Sequence, residues 1–167
     1  MVLAALDMGL ETVGLSGHSY TWFDDSYCMS RDGMREYVNE VSRLREKYAG
    51  RIRVLTGIEL DYHSEIDAAP FEYLIGSSHY IFTDDVYYDV DYSAAKFVDE
   101  ARKHFGGDTV AACETYYEQV GDIVRKTECD IIGHLDLVTK FNELYGINAN
   151  GKAVRRPAED GSEAQIR

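Results

Sequence analysis

Hydrophobic spacing divides the chain into alternating helical and strand-like stretches. Residues 1–8 carry apolar groups at helical spacing, and Gly9 is a natural stop. Residues 12–16, TVGLS, predict a short buried strand. A polar and aromatic loop follows over 17–30. Ser30 is placed to cap a long helix in which Met34, Tyr37, Val38, Val41, Leu44 and Tyr48 form one apolar stripe, and Gly50 ends it. That stripe predicts core packing. Residues 52–60, IRVLTGIEL, predict a second strand, and 72–79, EYLIGSSH, a third beyond a connector holding Pro70. Residues 80–92 are rich in Asp and Tyr and are expected to form a loop. Two helices are predicted over 93–105 and 109–127, split by Gly106–Gly107, then a fourth strand over 129–134.

Continuously apolar strands alternating with helices predict an α/β fold with a parallel sheet covered by helices. In such sheets the working side chains gather at the carboxyl ends of the strands. Past residue 146 the pattern fails. Residues 147–167, INANGKAVRRPAEDGSEAQIR, have few large apolar groups and are expected to be a poorly structured tail to a domain over 1–146.

Composition narrows the function without naming it. The 167 residues are 45% hydrophobic and 28% charged, an ordinary globular balance with enough chain for a core. No apolar run reaches membrane-spanning length, and the first fourteen residues lack the basic start of a signal peptide. The net charge of −13 argues against a nucleic-acid surface, and the one basic cluster, Arg155–Arg156, lies in the expected tail. Three cysteines without CxxC spacing suit reduced thiols, so a cytoplasmic protein is expected.

Four short stretches carry the chemistry. LSGHS places His18, TGIELDY places Glu59, GSSHYI places His79 and IIGHLDL places His134, each at or just after an apolar run. A lone histidine near a strand end is more often structural. Four potential ligands at the same end of four strands reverse that expectation. Three imidazoles and a carboxylate suit a borderline divalent metal such as zinc, manganese or iron. Asp61 and Asp136 each follow a ligand by two positions. A role in orienting ligands and a turn-capping role are equally open for both. His63 is expected at the surface, and His104 at a helix end, where it would favour the helix dipole. Acidic loop residues Asp24, Asp25, Asp84 and Asp85 could meet a cationic substrate group, though acidic loops are common in so acidic a chain.

SGHS, GIELDY, GSSHYIF and DIIGHLDLVTKF, in this order over residues 1–145, resemble the polymerase-and-histidinol-phosphatase (PHP) superfamily, most nearly its histidinol-phosphatase branch. The resemblance implies a distorted (β/α)₇ barrel related to the TIM barrel, with up to three divalent metal ions at its carboxyl rim. It implies hydrolysis of a phosphate monoester, L-histidinol phosphate, in histidine biosynthesis. His18, Glu59, His79 and His134 take the metal-ligand positions, with Glu59 as the carboxylate bridging two ions. Glu59 and His79 would act in catalysis through the bound water, which loses a proton near neutral pH and becomes the nucleophile. Lys140 falls where the family places a phosphate-binding cation; a solvated loop lysine is the plain alternative.

Two departures qualify the resemblance. The family opens with a strand bearing HxH, and no HxH occurs here. It closes with further strands and a DxH, and no DxH follows the fourth strand. The expected structure is therefore a partial barrel with its central strands present and its first and last strands missing. Two open sheet edges would favour self-association. The small-molecule phosphatase reading therefore stands beside three others: an inactive or assembly-dependent fragment, a PHP phosphoesterase for another substrate such as phosphotyrosine, and the PHP domain of a DNA polymerase. Nothing basic accompanies the motifs, so the last is the weakest.

Overall fold

The computed structural model describes residues 1–141, together with the backbone of 145–147 and 153–155. The chain forms two compact units, Met1–Ser78 with Val120–Leu135, and His79–Gln119 with Asp136 onward.

The first unit is a parallel sheet with helices on one face. Helix α1 (Val2–Asp7) leads to strand β1 (Thr12–His18), helix α2 (Arg31–Lys47) to β2 (Arg53–Asp61), and β3 (Tyr73–Ser77) pairs with the short β6 (Ile131–Ile132). The order is β1-β2-β3-β6, and all three pairings are parallel. The expected α/β sheet is therefore present. It does not close: β1 and β6 each have one neighbour among the described residues. β1 extends two residues beyond its expected end, so His18 is itself in the strand. The fourth strand shrinks from 129–134 to two residues.

The two sheet faces are built differently. Leu15 and Val54 point to the helical side and pack with Val2, Ala5, Val41, Tyr48 and Ile52, all buried. This is the expected α2 stripe meeting the strands. The Ser30 hydroxyl accepts from Gly33 N at 3.0 Å and caps α2, an interaction worth about 1 kcal/mol. Tyr37 reaches from α2 to the sheet backbone, with its hydroxyl 2.5 Å from Leu15 O and 3.0 Å from Gly57 O. Burial, helped by the Tyr73 phenol, pushes its pKa up to about 12. On the opposite face the Tyr73 ring lies flat over Gly57 and against Gly14, where no side chain would fit.

The second unit corrects one expectation. Residues 80–92 are not a loop. Tyr80–Thr83 (β4) and Val86–Asp89 (β5) form an antiparallel hairpin in which Thr83 pairs with Val86. Its two-residue turn is Asp84–Asp85, at φ 50° and 60°. Positive φ at both central positions matches the twist of the flanking strands, and Asp tolerates that region better than most residues. The loop expectation weighed the Asp content and missed the alternating Tyr, Ile, Phe and Val around it. Gln119 clasps the hairpin, donating to Tyr80 O at 2.6 Å.

Helix α3 (Ala94–His104) is capped by Ser93, and α4 (Thr109–Thr127) follows Gly106 and Gly107, both at positive φ. His104 does more than face a helix end. Its Nδ1 lies 3.0 Å from Asp84 Oδ2 and its Nε2 3.3 Å from Glu100 Oε2. Across the expected boundary between domain and tail, the backbone of Tyr145–Ile147 (β7) pairs antiparallel with Ala153–Arg155 (β8). The rest of that tail, 148–152 and 156–167, lies outside the described residues. No helix among the described residues is long and apolar enough to cross a membrane.

Candidate metal centre

The sheet register sets the site. His18 pairs with Glu59, Glu59 with Ile75, and Ile75 with Ile131, one row across four strands. Parallel partners point to the same face, so His18 and Glu59 stand side by side at the carboxyl end. β1 ends at that row, while β2 and β3 run on to Asp61 and Ser77 and β6 to Ile132. His134 comes three residues after Ile131, beyond a Gly133 N to Gly76 O bond of 2.9 Å. A side chain at Gly133 would crowd Ser77, because an added Cβ would lie 2.4 Å from its Oγ.

Within the first unit three of the expected ligands converge. His18 Nδ1 lies 3.8 Å from Glu59 Oε2, and His134 Nε2 lies 3.5 Å from Glu59 Oε1. Each imidazole faces a different carboxylate oxygen. Charged N–H···O⁻ hydrogen bonds run shorter, about 2.7–2.9 Å. Two donors held at about 2.1 Å by one tetrahedral cation would sit about 3.4 Å apart. The observed spacings are nearer to ligands around a cation than to ion pairs, and the nitrogen and oxygen donors suit zinc. These residues fit the metal that the sequence motifs imply.

His79 opens the second unit. It is buried and follows Ser78, one residue beyond the end of β3. Its carbonyl accepts from Val90 N at 2.9 Å, tying it to the end of the hairpin. Asp61 is buried at the last position of β2, and its Oδ1 accepts from His63 N at 2.8 Å, so it caps the turn after the strand. Asp136 precedes the 3₁₀ turn Leu137–Thr139, and its carbonyl accepts from Thr139 N.

Lys140 ends that turn. Its Nζ donates to Asp91 Oδ2 at 3.1 Å and to Asp91 O at 3.2 Å. Asp91 was not legible from the sequence: nothing in it marks a residue 49 positions upstream as the partner of Lys140. Behind Asp61, the Tyr62 hydroxyl donates to Asp122 at 3.1 Å, and Lys126 Nζ sits 3.9 Å from the Tyr62 ring centre. Burial holds the Lys126 ammonium below its usual pKa range, against the pull of Asp61 and Asp122.

A sheet rim with two histidines around a carboxylate belongs to a known class of domain. The PHP domain family model matches residues 1–161, and the chain belongs to that family. It is 30% identical over 151 residues to the Probable histidinol-phosphatase of Deinococcus radiodurans, covering 84% of this chain and 55% of that relative. It is 28% identical to the Histidinol-phosphatase of Bacillus subtilis, covering 84% and 60%. The chain thus spans little more than half the length of these curated relatives. Among solved structures, the fold matches histidinol phosphate phosphatase of Lactococcus lactis complexed with zinc, L-histidinol and phosphate. There the TM-score is 0.58 at 23% identity, over 83% of this chain and 51% of that one. A solved structure from Listeria monocytogenes, which also carries a histidinol phosphatase name, gives a TM-score of 0.65 at 19% identity, over 86% and 62%.

Proposed function

We propose that this chain forms the metal-binding side of a phosphate-monoester hydrolase that converts L-histidinol phosphate to L-histidinol and phosphate in the cytoplasm. The observation that carries this is the placing of His18 and His134 against separate oxygens of Glu59. The family membership and the names of the curated relatives support the substrate. Zinc in the Lactococcus lactis structure supports the metal; manganese and iron are compatible with the same donors.

His18, Glu59, His79 and His134 hold divalent cations in this reading. A bound cation there would supply a water acidic enough to be the nucleophile near neutral pH and would draw charge from the phosphoryl oxygens. Glu59 offers its two oxygens to two sides, as a bridging carboxylate must. Lys140 holds a substrate phosphate oxygen. Asp61 fixes the turn that follows Glu59, and Asp136 begins the turn that ends in Lys140. No Cys or Ser nucleophile is invoked.

Chelation should abolish phosphate release from L-histidinol phosphate, and added zinc or manganese should restore it. Turnover indifferent to chelator would dismiss the reading, and faster turnover of phosphotyrosine would move the substrate. One observation favours a second reading, in which the domain works only as an assembly. Ile131, Ile132 and Leu135 on and beside the edge strand β6 are 50%, 39% and 56% exposed. Exposed apolar edges favour pairing with another chain. Specific activity rising with protein concentration would support assembly; constant activity would dismiss it.

A further inference from the structure

We propose that Asp91 is the positioning residue of the phosphate site, holding the Lys140 ammonium in the orientation that receives the substrate's phosphoryl group. The inference rests on the phosphate-binding role given to Lys140 above and adds what aims it.

An ammonium on a four-carbon stem is a flexible point charge, and it binds an anion well only when its stem is held. Lys140 is held twice by one residue, through the carboxylate and the carbonyl of Asp91. Those contacts use two of the three ammonium donors. The Phe141 ring centre lies 5.7 Å away on another side. The Lys140 side chain is still 48% exposed, so its remaining N–H can meet a solvent-borne anion.

Asp91 is itself fixed. Asp89 Oδ1 accepts from Tyr92 N at 2.9 Å, and Lys96 Nζ donates to Asp89 Oδ2. Ser93 Oγ accepts from Lys96 N at 3.2 Å and starts α3 immediately after this turn. On the other side, Val90 N donates to His79 O at 2.9 Å. The Asp91 turn is therefore tied by backbone to the proposed ligand His79 and by side chains to a helix start. Tyr116, fully buried with its hydroxyl pKa raised by burial, has Asp91 and Asp136 among its negative neighbours. A turn this constrained can aim a lysine.

The test measures inorganic phosphate affinity of the metal-loaded chain by titration calorimetry, beside steady-state hydrolysis of L-histidinol phosphate. Asp91→Ala should weaken phosphate binding and raise KM about tenfold, as expected when a charge-assisted hydrogen bond is removed, with kcat changed much less. Asp91→Asn, which keeps an acceptor oxygen, should recover most of the loss. Asp91→Ala placed on Lys140→Ala should add little, because its effect passes through the lysine. Unchanged phosphate affinity in Asp91→Ala, or losses that simply add in the double variant, would overturn the proposal while leaving the phosphatase reading intact. Wild-type chain that binds metal but no phosphate would overturn both.

Discussion

Glu59→Ala should strip the protein of its metal and lower kcat/KM by about 10³-fold or more. The reason is geometric. Glu59 stands between two imidazoles, with one oxygen 3.8 Å from His18 and the other 3.5 Å from His134. Removing it leaves two histidines with no carboxylate between them, and the site loses both a ligand and the charge that draws a divalent ion. Metal content by inductively coupled plasma mass spectrometry reads the first effect, and hydrolysis of L-histidinol phosphate the second. Thermal stability gives a third reading. Wild-type chain saturated at about 100 times its metal Kd should gain about 2.7 kcal/mol over the metal-free form, and Glu59→Ala should gain almost none. Glu59→Gln keeps an oxygen but not the charge and should fall between. A Glu59→Ala protein carrying the wild-type complement of metal would remove the basis of the proposed function.

A large effect on the stability of the metal-free fold is expected at a glycine. A Cβ at Gly57 would lie 2.1 Å from Tyr73 Cζ and 2.4 Å from both ring Cε atoms. Carbon atoms that close cannot coexist, so Gly57→Ala must displace the ring or the strand. Overpacking of this kind costs about 1–3 kcal/mol. For a chain of this length that lowers Tm by roughly 2–12 °C. The cause can be isolated, because Gly57→Ala should cost far less on a Tyr73→Ala background. An equal drop on both backgrounds would show that the strain lies elsewhere. Glu59 is two residues beyond Gly57 on the same face, so the displacement should also weaken metal binding.

Much of the first unit was readable from the chain. The α2 stripe faces the sheet because a 3.6-residue period puts its apolar groups on one side, and the Ser30 cap lies where it was expected. The strand ends were readable to within about two residues, because apolar runs stop where the backbone leaves the sheet. The 80–92 segment was not readable, because its signal was divided. Its Asp–Asp pair is a loop signature by composition and a tight-turn signature by backbone angle, and only the pairing of Thr83 with Val86 decides between them. The sequence shows the helix that ends at His104 and so predicts a dipole role for it, whereas Asp84, twenty residues away, meets it only through the hairpin.

The chain by itself determined an alternation of strands and helices and four donor side chains at strand ends, because local spacing fixes which face and which end a residue occupies. Only the tertiary structure decided that His18 stands beside Glu59, that His134 approaches the other carboxylate oxygen, and that Asp91 holds Lys140. Those facts depend on strand order, register and turn geometry. They arise from contacts between residues far apart in sequence, which no local pattern encodes.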